Sequence, residues 1–233
     1  MALQIQKAST FDASSVVFSK LRKNKNGGKA VYLNGPNNRK LFIELPYMRA
    51  PFGLSQFVDE ATKKISYSLD LSFDKNDEAL LSLQENFKKF DEAVIKMVAT
   101  NSQEWLGKKY NEAVIKEALY KPLIRPGKDE YPSTMKLKIL LKPGSNDFIP
   151  EAYNVRREVV PMTSIEKGQK VKCIIDINQI WFIDNKFGIS VRLQQVLLEP
   201  SKKLPSFAFQ DVPETEGAAE AEEEEEEYEE VDE

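Results

Sequence analysis

Ile180-Trp181-Phe182-Ile183 and Lys186-Phe187-Gly188-Ile189 flank Asp184-Asn185, a pair that favours a tight two-residue turn. Such a turn sets Ile183 opposite Lys186, Phe182 opposite Phe187, Trp181 opposite Gly188 and Ile180 opposite Ile189, and directly opposed residues share a face. Ile180, Phe182, Phe187, Ile189 and Val191 then make the buried side, and Trp181, Lys186, Gly188, Ser190 and Arg192 the outer one. An indole over a glycine, beside a lysine and an arginine, offers a π face to a base and cations to a phosphate. A slip of one residue would reverse the faces and make Trp181 an ordinary cover for the sheet.

The pairing of aromatic and basic residues recurs at Tyr32, Arg39, Lys40 and Phe42, and again at Tyr47, Arg49 and Phe52. Each instance alone is weak, because a lysine on the wet face of a strand usually only solubilises it. Together with Trp181, Lys186 and Arg192 they form the candidate nucleic-acid-binding set. Enzymatic chemistry has little to stand on. Histidine is absent, which removes the usual general base and the commonest metal ligand, and the single Cys173 builds neither a disulfide framework nor a zinc cluster. Gly27-Gly28-Lys29 resembles a fragment of a phosphate loop but lacks its first glycine and the following Ser or Thr. Glu227, Glu229 and Glu230 lack a fixed geometry for acid/base work. The expectation is a non-enzyme with no cofactor and no defined metal site, its carboxylates attracting Mg²⁺ or Ca²⁺ only as a polyelectrolyte.

The elements that must position these residues are mostly strands. Ser15 to Lys20, Lys29 to Asn34 and Arg39 to Leu45 read as strands, the last two predicted to pair as a hairpin through Gly35-Pro36-Asn37-Asn38. Pro46 to Gly53 is too rich in Pro and Gly to be regular, whereas Ile65 to Phe73 alternates cleanly. The period then changes. Leu80, Leu83, Phe87, Phe90, Val94, Met97 and Val98 follow helical spacing to about residue 100, with Asp74 or Asn76 as cap, and Trp105 to Leu119 reads as a second helix or a docked extension. Strands resume at Met135 to Leu141, Tyr153 to Val160, Val171 to Ile177, Gln179 to Ile183 and Lys186 to Leu198. This order, mainly β with a helical insertion, predicts an OB fold: a five-stranded Greek-key barrel with extra strands and a central helix.

Charge divides the chain. Residues 211 to 233 hold 14 acidic residues and no base; subtracting these from 37 acids leaves 23 against 33 bases, so residues 1 to 210 carry about +10. The expected organisation is a binding domain over 1–210 and a disordered acidic tail over 211–233, which has too little apolar area to fold alone. A cationic body joined to its own polyanion suits a protein whose ligand is another polyanion. No apolar run is long enough for a spanning helix, and Met1 to Gln6 does not read as a secretory signal. A soluble, intracellular protein without a membrane partner is expected.

The hairpin Ile180 to Val191, the strand Lys29-Ala30-Val31-Tyr32-Leu33 and the acidic end resemble the single-stranded DNA-binding proteins of short-tailed phages of the T-seven type, and their relatives in nucleo-cytoplasmic large DNA viruses, the nearer branch. The likeness follows the order of elements over most of the body; only the hairpin is close residue by residue. It implies an OB fold that coats single strands without sequence preference during viral DNA replication and recombination, in the nucleus or a cytoplasmic factory of the host. It also implies a tail, Glu222, Glu223, Glu224, Glu225, Glu226, Glu227 and Tyr228, that covers the groove when DNA is absent and contacts a viral DNA polymerase, primase or helicase when displaced. A homodimer is compatible with it. The phage pattern ends in an aromatic residue; this chain ends Tyr228-Glu229-Glu230-Val231-Asp232-Glu233, with Tyr228 as the available substitute. Two other readings stay open from the residues themselves: an acidic-tailed chaperone for histones or other basic proteins, and an RNA-binding OB protein.

Overall fold

The long strands are where the apolar alternation sits. In a computed structural model, residues 4–23 and 28–200 are described. We number the strands that build the site β1 (Lys29–Asn34), β2 (Phe42–Arg49), β3 (Leu54–Val58), β4 (Ile65–Ser72), β5 (Thr134–Ile139), β6 (Lys170–Ile183) and β7 (Lys186–Leu198). The chain divides at Pro200 into two units, and the described residues all fall in the first. The tail with Glu222 to Glu227 and Tyr228 lies outside the described residues, as does Gly27.

Five strands close a ring. Around it the order is β2, β4, β5, β7, β6 and back to β2, which in chain order of the ring members is first, second, third, fifth, fourth. All neighbours are antiparallel except β5 and β7. Two seams are thin: β2 meets β4 only at Arg49 opposite Ser72, and β5 meets β7 only at Lys138 opposite Arg192. Leu69, Leu71, Met135, Leu137, Val171, Ile175 and Ile177 are buried in one apolar cluster, as the period-two pattern requires.

The expected hairpin between Lys29–Asn34 and the following strand is not formed. β1 and β2 share no ladder; an isolated bridge joins Asn34 to Lys40, ahead of β2, and both strands pair with β6. β6 is 14 residues long and bulged: Lys170 to Asp176 pairs with β2, and Gln179 to Phe182 pairs with β1. A shift against β7 between Ile177 and Gln179 marks the change of partner. The segment from Pro46 also differs from expectation, because β2 runs through Pro46 to Arg49. Lys172 faces Tyr47 and Ile174 faces Glu44, so an extra residue is accommodated at a bulge where the missing N–H of Pro46 does no harm.

The helix falls where its periodicity puts it. α1 spans Glu78–Thr100, and the capping residue is Asp77, whose carboxylate accepts from the N–H groups of Ala79 and Leu80 at 3.0 and 3.2 Å. Leu80, Leu83, Phe87, Phe90, Val94 and Val98 form its buried stripe, and Phe11 packs against both Phe87 and Phe90 at 5.7 Å between centroids. Trp105 to Leu119 does not continue as one helix. Gly107 adopts φ 80, and the chain resumes as one turn at Glu112–Val114 running into a π-helical turn over Ile115–Leu119.

Candidate nucleic-acid interface

The register argued from the Asp184-Asn185 turn is the observed one: Ile183 faces Lys186, Phe182 faces Phe187, Trp181 faces Gly188 and Ile180 faces Ile189. Asp184 takes the left-handed conformation the turn needs, at φ 52. On the inner face, Phe182 stacks on Phe187 at 5.7 Å and Phe187 meets Tyr120 at 5.1 Å, with Trp105 edge-on to Phe182 at 6.0 Å. This aromatic layer holds the hairpin down, and the Lys186 ammonium ties its end to the Ala118 carbonyl.

On the outer face the pairings lay out three rows. The first crosses five strands as Arg22, Ala30, Trp181, Gly188 and Lys121. A Cβ on Gly188 would stand 2.8 Å from Trp181 Cζ2 and 3.1 Å from the Lys121 carbonyl oxygen, so the indole is packed directly against the glycine. Only hydrogen fits beneath it. The second row is Tyr32, Gln179 and Ser190, with the Arg22 guanidinium 5.3 Å from the centre of the Tyr32 ring. The third runs Phe42, Asp176, Arg192, Lys138, Ser68 and Ser55.

Trp181 is partly exposed and forms a wall between two depressions. One, of about 600 Å³, is lined by Lys121, Arg125, Lys136 and Trp181 among others; the second, of about 460 Å³, by Arg125, Lys136, Lys138, Gln179, Trp181 and Ser190. Among the described residues no carboxylate lines either. Asp70 lies to the side, where it accepts from Lys136 Nζ at 2.9 Å. The Lys138 ammonium is held below its ordinary pKa by burial and by the positive charges of Arg192 and Lys64. An anion entering here meets cations that repel one another without it.

The connection that carries Lys121 and Arg125 is moored to α1 by a buried acid. The Asp91 carboxyl accepts from the Tyr120 hydroxyl at 2.5 Å and from the Leu123 N–H at 3.3 Å. Burial pushes its pKa up to about 7, against the pull of those two donors and with a small push from Glu92. Because the folded value exceeds the ordinary value of 3.8, the folded state binds the extra proton between these limits, and the stability this contributes is lost as pH rises through about 7. Urea titrations from pH 4 to 8 should show Asp91→Asn gaining on wild type as pH rises, by at most about 4 kcal/mol at 1.36 kcal/mol per unit. A constant difference between the two proteins would mean that Asp91 is ionised throughout.

The ten residues expected to bind DNA are distributed unevenly. Trp181, Tyr32 and Arg192 share the three-row face, with Lys186 at its hairpin end. Phe42 lies in the third row but is only 7% exposed, because strand Ile5–Lys7 pairs alongside it and Lys40 Nζ stands 5.8 Å over its ring. It has no open face for a base. Arg39 and Lys40 are exposed just before β2. Tyr47 and Arg49 are exposed opposite Lys172 and Lys170, at the far end of β6 from Trp181, roughly 30 Å of strand away. Phe52, 60% exposed, follows them in the turn after β2. Sequence reasoning missed Arg22, Lys121, Arg125, Lys136 and Lys138, and also Phe57, which is 66% exposed on β3 opposite Ser66, on the side of Ser68 and Lys138. The signal for Lys136 and Lys138 was present as period-two cations in an apolar strand.

A family model matches residues 65–211, well over half of the 233. The chain belongs to a family of unknown function, DUF5871. The DUF5871 span takes in Lys121, Lys136, Lys138, Trp181, Gly188 and Arg192, while Arg22, Ala30 and Tyr32 precede it. No curated protein matches the chain. Among solved structures it is similar to gp2.5, a single-stranded DNA-binding protein encoded by bacteriophage T7, at 12% identity and a TM-score of 0.44, covering 74% of this chain and 91% of that one. It is also similar to the single-stranded DNA-binding protein of bacteriophage Enc34 in complex with single-stranded DNA, at 16% identity and a TM-score of 0.43, covering 82% and 98%.

Proposed function

We propose that this DUF5871 chain is a non-catalytic, sequence-independent single-stranded DNA-binding protein built on an OB-type ring. The observation that carries the reading is Trp181 packed against Gly188 between two cation-lined depressions. Stacking on an aromatic face is indifferent to base identity, because every base has a π face, and the flanking cations neutralise the backbone. The ring order and the parallel contact between its third and fifth members support the OB assignment. OB folds bind along their second and third strands and at the loops joining strands one to two and four to five. Here those are β4 and β5 with Lys136 and Lys138, the segment with Phe52 and Phe57, and the Asp184-Asn185 turn.

The working role that follows is coating of strands exposed during viral DNA replication and recombination. In the same proposal the acidic tail, 211–233, competes with DNA for the groove and recruits a polymerase, primase or helicase through Glu222 to Glu227 and Tyr228. Fourteen carboxylates against a body of about +10 motivate the competition. The experiment is a titration of full-length protein and of a variant lacking 211–233 with oligo-dT across a chloride series, read by tryptophan fluorescence. Full-length protein should be quenched, with log K falling against log salt at about −0.7 per phosphate neutralised. The shortened protein should bind about tenfold more tightly at low salt, as expected when a screened intramolecular polyanion is removed. Equal affinities would remove the competition, and absence of quenching would remove the DNA reading; oligo-rU in parallel shows whether RNA is taken equally.

A further inference from the structure

Lys138 and Arg192 form the one register pair in the parallel seam of the ring. Neighbouring strands lie about 4.8 Å apart, so two cations stand side by side on the groove face. They are not neutralised as Lys136 is. Lys136 Nζ donates to Asp70 at 2.9 Å and to Ser68 Oγ at 3.1 Å, whereas among the described residues neither Lys138 nor Arg192 forms an ion pair. Arg192 Nε is buried with no hydrogen-bond partner, an arrangement that costs free energy and leaves the guanidinium charge without a bonded counter-group there. Asp176 faces Arg192 from β6, but its own carboxyl is buried and pushed up by that burial, with Lys40, Arg192 and Asn178 opposing. The seam sets two positive groups side by side, and among the described residues neither is in an ion pair.

We propose that Lys138 and Arg192 form a fixed seat for one tetrahedral oxyanion, a backbone phosphodiester when DNA is bound and inorganic phosphate when it is not. The proposal rests on the single-strand reading and adds a register to it. Lys138 supplies a point charge and Arg192 a planar fork, so two oxygens of one phosphate are held in a fixed orientation. Lys121 and Arg125, exposed beside Trp181, attract the chain as a field without orienting it. From Gly188 under the indole to Arg192 is four residues of β7, roughly 14 Å, with Ser190 between them on the same face. A strand whose base stacks on Trp181 therefore has a defined place for a phosphate further along, and is held by a base and a phosphate at a set separation.

The test uses full-length protein and oligo-dT at constant ionic strength, with chloride replaced by inorganic phosphate. A seat makes phosphate a site competitor as well as a screening salt, so phosphate should weaken binding by about tenfold more than chloride does. Lys138→Gln and Arg192→Gln should each abolish that extra sensitivity, while Lys121→Gln keeps it and changes only overall affinity. Arg192→Lys, which keeps the charge without the fork, should lose most of it. Thermal melting confirms that each variant is folded, and Lys138, exposed on its strand, carries the test if Arg192→Gln is not. Identical effects of the two salts on wild type overturn the seat and leave single-strand binding intact. If wild type fails to bind oligo-dT, the functional reading falls; the seat then stands only if phosphate shifts the Lys138 ammonium resonance in wild type and not in Arg192→Gln.

Discussion

Replacing Trp181 by alanine lowers oligo-dT affinity by about 1–3 kcal/mol, roughly fivefold to 150-fold, the range for losing one base–aromatic stack. The measurement is equilibrium titration by fluorescence anisotropy of a labelled oligonucleotide, with intrinsic emission recorded alongside. Trp105 is 5% exposed and packed against Phe182, so the emission left in the variant should not respond to DNA. Stability should barely change, because Trp181 lies outside the buried cluster. Gly188→Ala tests the same idea from below. Its Cβ would meet Trp181 Cζ2 at 2.8 Å, so the indole must lift or tilt although every cation stays in place. Overpacking of this kind costs about 1–3 kcal/mol, and here affinity should drop several-fold with no change in salt slope. Wild-type affinity in both variants would reduce Trp181 to a lid on the sheet.

Replacing Phe187 by alanine destabilises the fold by about 3–5 kcal/mol, the range for a buried Phe-to-Ala change. Phe187 is fully buried and touches both Phe182 and Tyr120, so its removal opens a cavity where the hairpin, β6 and the Tyr120 connection meet. Against a total of about 5–15 kcal/mol for an ordinary domain, this is a large fraction. The check is urea unfolding monitored by circular dichroism. Oligo-dT affinity should fall as well, since Trp181 on one side and Lys121 on the other are positioned by this layer. A loss below about 1 kcal/mol would mean the hairpin rests on something other than its aromatic stack.

The parts of the site that could be read from the sequence are those fixed by neighbours in the chain. Asp184-Asn185 determines the register of the hairpin, and register determines that Trp181 lies over Gly188. The stripe from Leu80 to Val98 gave α1 for the same reason, local periodicity, with only the cap displaced to Asp77. What the chain order concealed was long-range pairing. Phe42 alternates as though solvent-facing, yet it is buried and paired with strand Ile5–Lys7, which nothing near Phe42 announces. The β1–β2 hairpin looked natural because the two segments are adjacent, but β6 offers each a longer ladder than they could give each other. Lys138 looked like a solvated lysine because its neighbour Arg192 is 54 residues away and reached through a parallel contact.

That parallel contact also orders events at the ribosome. Three of the ring's strands, through Ile139, are synthesised before either β6 or β7, and none of the ring's closing partners exists until those last two strands emerge. A nascent chain stalled before Lys170 therefore exposes unpaired edges of β2 and β5, and it needs shelter from aggregation until the hairpin arrives. The row from Arg22 to Lys121 is likewise assembled only when β6 and β7 pair, in the same step that closes the ring.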